Sequence, residues 1–200
     1  MTFLRPTLLT LACLLASPGF ADDLPSLGDA SSAIVSPQQE YQLGRAWLAM
    51  LRSQVSQLND PQLKDYVESS VYKLVETSQV SDRRLEFILI NSPQLNAFAA
   101  PGGVVGVNGG LFLNAQTEGE YASVLAHELA HLSQRHFARG VEASQRMQVP
   151  MMAALLAGIV IAAAGGGDAG IATIAGTQAA ALQEQRRFSR QNEQEADRIG

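Results

Sequence analysis

The segment TEGEYASVLAHELAHLSQRHFARG, Thr117–Gly140, decides what this chain can be. Thr117 followed by Glu120 is a capping box, and a helix is expected from there to about Arg139, just before Gly140. Inside it, His127-Glu128-Leu129-Ala130-His131 matches the pattern H-E-x-x-H. Two histidines four residues apart lie about 40° apart around a helix and roughly 6 Å along it. Their imidazoles can therefore converge on one tetrahedral Zn²⁺. Glu128 lies on the flank of that face, where a carboxylate can take a proton from water without ligating the metal. The chain has three histidines and two of them fall in the motif, so a chance pair on a helix explains the pattern less well than a metal site. The third, His136, is five residues beyond His131 and about 140° around the helix. It is expected to point elsewhere, as a packing or hydrogen-bonding side chain. The longer pattern H-E-x-x-H-x-x-G-x-x-H is not met.

The third ligand must then be a carboxylate from elsewhere. Asn192-Glu193-Gln194-Glu195-Ala196-Asp197, on a last helix expected from Gln178 past Asp197, offers candidates. Glu193 and Asp197 are i, i+4 neighbours, so one can ligate while the other orients a ligand histidine. By spacing alone Glu195 competes, and all three would also suit a solvated acidic face.

Upstream, Ser36-Pro37-Gln38-Gln39 signals a helix start, and Leu43, Trp47, Met50 and Leu51 form its apolar stripe. Asp60-Pro61 repeats the signal, with Leu63, Val67, Val71 and Leu74 as the buried face. Arg84–Ile90 alternates and is rich in β-formers, hence a strand. Val104–Val107 is a second, approached through Pro101-Gly102-Gly103. Helices with a small sheet make an α+β domain.

Composition narrows the class. Of 200 residues, 46% are hydrophobic and 16% charged, the net charge is −5, and there is one cysteine. Disorder needs low hydrophobicity with high net charge; a disulfide scaffold needs more cysteines; a nucleic-acid binder shows a basic footprint. The apolar excess has two sources. Arg5, then Leu8–Ala16, then Ser17-Pro18-Gly19-Phe20-Ala21 reads as a signal peptide, residues 1–21, so export is expected. Residues 22–36 read as an extended leader. Between Met147 and Leu182 the single charge is Asp168. Pro150 and the Gly/Ala content favour a helical hairpin on the domain or dipping into a membrane surface over a span.

Asn91–Phe112, Glu120–His136 and Ser189–Gly200 together resemble the HtpX and CAAX-prenyl-protease type of zinc metallopeptidase, of the gluzincin kind, and most of all its exported, periplasmic members. The resemblance covers essentially all of the chain after residue 21. It implies a mostly helical zincin-like protease domain over 37–200, with its small β-sheet beside the active-site helix and one Zn²⁺. It implies His127, His131 and Glu193 as ligands, Glu128 as catalytic base and Asp197 as the partner of a ligand histidine. The stretch from Asn96 through Gly103, Val104 and Val105 resembles the family's cleft border, and a substrate segment is expected to pair as an added strand beside Val104–Val107. The implied activity is periplasmic endopeptidase action on misfolded or stalled outer-membrane proteins, with help to their assembly machinery. The alternative is a zinc-binding chaperone or scaffold touching membrane or partner through 147–182; an integral membrane protease is a third. The periplasmic members carry a C-terminal tetratricopeptide-repeat domain, whose 34-residue period does not occur here. A protease domain shortened at its C-terminus is therefore expected.

Overall fold

The computed structural model describes residues 35–200. The expected signal peptide, and the leader up to residue 34, lie outside them.

Helix α1, Pro37–Gln54, begins as its sequence dictates. The Ser36 hydroxyl accepts the Gln39 N–H at 3.2 Å, and the Ser36 N–H donates to the Gln39 amide oxygen at 2.8 Å. At α2, Pro61–Thr77, the Asp60 carboxylate accepts the N–H groups of Gln62 and Leu63. Its buried face is Val67, Val71 and Val75, with Leu63 and Leu74 partly covered. The face of α1 departs from expectation. Glu40, Gly44 and Leu48 are buried, while Leu43 and Met50 are 47% and 51% exposed. The reason is backbone contact: a Cβ on Gly44 would lie 2.0 Å from the Pro101 carbonyl oxygen. The helix is drawn to the turn on the side without a side chain, which a count of apolar residues does not register.

Strands β1 (Glu86–Ile90), β2 (Ala97–Ala100) and β3 (Val104–Asn108) form one sheet in the order β1-β3-β2. β3 runs parallel to β1 and antiparallel to β2, with Val104 opposite Glu86 and Ala100. Strand β2 carried no signal, because Ala-Phe-Ala-Ala is a weak β-former. It forms because Gly102 and Gly103, at φ 71° and 76°, turn the chain straight back onto it. Phe87, Leu89, Val105 and Val107 meet α2 together with Tyr121, Leu125 and Leu129. Ile88, Ala100 and Val104 meet Leu48 on the opposite face. The sheet is thus held between α1 and the α2 side, each fully buried Val or Leu contributing about 1.5–3 kcal/mol.

After the short α3, Gly109–Asn114, comes α4, Glu118–Ser133. Thr117 accepts the Glu120 N–H at 3.2 Å, and the Glu120 carboxylate reaches back one residue further than expected, to the Gln116 N–H at 2.7 Å. The helix does not continue to Arg139. Arg135 takes a left-handed conformation, φ 49° and ψ 42°, and α5 starts afresh at His136 and runs to Ala163, with Gly140 and Pro150 inside it. Two hydrogen bonds to Glu40, at 2.9 and 2.6 Å, and one to the Val35 carbonyl hold Arg135 there. Helix α6, Gly167–Ile199, begins well before Gln178.

Helices α5 and α6 form the expected hairpin and pack mainly on each other. A Cβ on Gly170 would lie 2.6 Å from the Gly158 carbonyl oxygen, so the two backbones all but touch. The hairpin's apolar side chains face outward: Val149, Met152, Leu156, Ile159 and Val160 are 56–76% exposed. Among the described residues α5 is the one helix long and apolar enough to cross a membrane, and only 6% of its apolar window is buried. The far end of α6 returns to α4.

Candidate metal centre

The centre is made where α6 crosses α4. His127 and His131, one turn apart on α4, turn their Nε2 atoms toward each other at 3.1 Å. Glu193 of α6 brings Oε2 to 3.3 Å from His127 Nε2 and 3.7 Å from His131 Nε2. One ligand atom from each of the three lies within 4.8 Å of the others. Two imidazole nitrogens and a carboxylate oxygen converging on one point are a donor set that suits Zn²⁺, with room left for a fourth ligand.

Asp197, one turn beyond Glu193, accepts from the far nitrogen of His127, Nδ1, at 2.9 Å. This leaves Nε2 as the lone-pair nitrogen facing the cluster. Glu195 is not in the cluster. Its Oε2 lies 2.8 Å from Arg139 Nη1 and 3.2 Å from His136 Nε2. Its carboxyl, raised by partial burial, is held below the ordinary range by the hydrogen bonds from Arg139 and His136, which outweigh that effect.

His136 does not point away from the centre as an unbroken helix would require. The kink at Arg135 swings it back, so that its Nδ1 lies 2.8 Å from His131 Nδ1. Burial lowers the pKa of both His131 and His136, favouring the neutral rings.

Glu128 sits beside the cluster without joining it. Its Oε2 accepts the N–H of Ala99, in β2, at 2.9 Å. Burial pushes its carboxyl above the usual carboxylate range, against the pull of that N–H. A raised carboxyl next to a candidate metal site is suited to exchanging protons with a reacting group. A cleft of about 280 Å³ opens over the centre, lined by Ala99, Ala100 and Pro101 on one side and His127, Glu128, His131 and Glu193 on the other.

The expected substrate stretch is corrected here. Val104 and Val105 are at most 1% exposed, and β3 is hydrogen-bonded on both edges, to β1 and to β2. No added strand can pair beside Val104–Val107. Asn96 and Gly103 flank the two ends of the β2–β3 ribbon, and none of the four lines the cleft. The border of the cleft is instead the end of β2 and the turn after it. Three elements of the site escaped the sequence: the Ala99 N–H, which is backbone and has no residue signature; the return of His136; and the Arg135–Glu40 pair. The last two depend on a left-handed arginine, a conformation that residue type does not advertise.

With this geometry the chain belongs to peptidase family M48, whose model matches residues 61–200. It is similar to the putative beta-barrel assembly-enhancing protease of Vibrio cholerae, 40% identical over 178 residues, which are 89% of this chain and 37% of the relative. It is 38% identical over 187 residues to the beta-barrel assembly-enhancing protease of Escherichia coli K12, covering 92% of this chain and 38% of that one. A more distant relative is the mitochondrial metalloendopeptidase OMA1 of Schizosaccharomyces pombe, 34% identical over 93 residues. The chain thus spans well under half the length of the curated relatives it matches.

Proposed function

We propose that this chain is the protease domain of an exported zinc metalloendopeptidase that degrades misfolded or stalled outer-membrane proteins in the periplasm and assists their assembly. The observation that carries this reading is the convergence of His127, His131 and Glu193, with Glu128 beside them in an open cleft. Zinc, when bound by these three, supplies a Lewis acid that polarises the scissile carbonyl. Glu128 takes the proton from the attacking water as its oxygen bonds to the carbonyl carbon, then hands it to the amide nitrogen as the C–N bond breaks. Asp197 keeps His127 oriented. An extended substrate segment lies against the end of β2 and the turn after it, Ala99–Pro101, where main-chain contact accepts many side-chain sequences.

The test is zinc content and cleavage of an unfolded outer-membrane protein, measured on three variants. Glu128→Gln is expected to keep its zinc and to lose at least about 100-fold in cleavage. Glu193→Ala is expected to lose zinc, and Glu195→Ala to retain it at saturating concentration. Cleavage by Glu128→Gln at the wild-type rate would remove Glu128 as the base. Zinc loss from Glu195→Ala alone would reassign the ligand.

The outward apolar face of α5 favours a second reading, a zinc-bound scaffold that touches a membrane or a partner through 147–182. The two readings are compatible in one protein. They separate if cleavage depends on Glu128 while binding does not.

A further inference from the structure

We propose that His136 is a positioning residue that fixes the tautomer of His131 through a one-way chain of hydrogen bonds, His131 to His136 to Glu195, anchored by Arg139. The inference rests on the metal site proposed above. It concerns residues which that site does not use: the third histidine and the third acidic side chain of α6's last turns.

The polarity follows from the atoms that meet. His131 turns Nε2 to the cluster, 3.1 Å from His127 and 3.7 Å from Glu193. A nitrogen that lends its lone pair to a metal carries no proton, so the ring's hydrogen sits on Nδ1. Among the described residues, the group facing that Nδ1 is His136 Nδ1, at 2.8 Å. Two N–H groups cannot meet head to head at that distance, so His136 Nδ1 accepts. Its own hydrogen is then on Nε2, which faces Glu195 Oε2 at 3.2 Å. A carboxylate accepts there, and Arg139 Nη1 donates to the same oxygen from 2.8 Å. Every donor meets an acceptor, and reversing any one proton breaks the series.

The two ligand histidines are therefore supported differently. His127 leans directly on a carboxylate, Asp197, whose side chain is 71% exposed. His131 leans on a neutral ring that is 6% exposed and reaches its carboxylate one step further on. The arrangement exists because Arg135 adopts φ 49°. In an unbroken helix His136 would lie about 140° from His131. A left-handed arginine costs of order 1 kcal/mol or more, and it is the contacts with Glu40 and Val35 that keep it.

The experiment compares His136→Phe, His136→Asn and the unaltered chain by zinc competition against a chelator. In parallel, the zinc-loaded proteins are examined by ¹⁵N NMR of the imidazole nitrogens. Asparagine places its Oδ1 where His136 Nδ1 stood and so still accepts from His131; phenylalanine fills the space and accepts nothing. His136→Phe is expected to bind zinc about 10–100-fold more weakly and to lose the hydrogen bond that the unaltered chain makes at His131 Nδ1–H. His136→Asn is expected to recover most of the affinity and that hydrogen bond. Equal affinities in all three, or equal losses in both variants, would overturn the proposal, since packing alone predicts no rescue. If His136→Phe fails to fold, His136 in the unaltered zinc-loaded chain decides: an Nδ1–H tautomer there overturns the chain of bonds. Absence of zinc binding by the unaltered chain would instead defeat the metal-site reading, and the proposal with it.

Discussion

Around the candidate metal centre single atoms decide what chemistry is open. Glu128 lies between the ligand histidines in sequence yet spends its carboxylate on a backbone N–H rather than on the cluster. An edge strand offers such an N–H because one side of its ladder is unpaired. Tyr121 is the counter-case, a polar group with nothing to do. Its hydroxyl is buried with no well-aligned hydrogen-bond partner; nearby Ser70, which donates to the Tyr66 carbonyl, offsets that burial only in part. Burial raises its pKa to about 12, from an ordinary 10. In the unfolded chain the phenol ionises near its ordinary value, so the folded form holds its proton longer. Stability from this group is complete below pH 10 and is lost as pH rises toward 12. Tyr121→Phe is expected to flatten that alkaline slope in denaturation measured from pH 8 to 12. At neutral pH it should raise stability by about 1 kcal/mol, because an unsatisfied buried hydroxyl is removed.

Among the elements, the glycine-led junction between α1 and the β2–β3 turn sets the distance from the first helix to the cleft. Gly44→Ala would place a methyl group inside the Pro101 carbonyl and push α1 off Gly102, whose carbonyl also accepts from Arg45 at 2.8 Å. A loss of about 1–3 kcal/mol is expected from such overpacking, read as a lower midpoint in urea denaturation. Cleavage should fall with it, because Pro101 lines the cleft. The hairpin poses the opposite question, an element with too little contact. A helix apolar on its outward side and unpaired there is normally covered by lipid or protein. Flotation with phosphatidylethanolamine–phosphatidylglycerol vesicles is expected for the unaltered chain and lost in the double variant Leu156→Glu, Ile159→Glu. Equal recovery of both in the vesicle layer would exclude the hairpin as the contact.

Over the whole molecule, the candidate metal centre would tie the last helix to the core. The three candidate ligands come from α4, which is built into the core, and from the last turns of α6. Binding of zinc to the folded form alone stabilises it by mass action, by about 4 kcal/mol at a thousandfold excess over Kd. Chelation is therefore expected to lower the thermal midpoint by roughly 10 °C for a chain of this size. Calorimetry with and without chelator measures it. No shift would mean that α6 is docked by packing rather than by metal.

The sequence by itself determined the parts that rest on local spacing. Helix starts at Ser36, Asp60 and Thr117 are written in capping residues. The strand at Glu86–Ile90 is written in its run of β-formers, though it is buried on both faces rather than alternating, and the His127–His131 pair follows from the pitch of a helix. Those features need only neighbours within four residues. Tertiary structure decided what depends on chain segments far apart. It alone separates Glu193 from Glu195, because which face of α6 meets α4 is set by packing across the hairpin and not by spacing. It pairs β2 into the sheet, which closes β3 to any added strand and moves the cleft border to Ala99–Pro101. And it bends the chain at Arg135, where contacts with the distant Glu40 and Val35 make that conformation worth holding, so that a histidine expected to face away comes to stand behind His131.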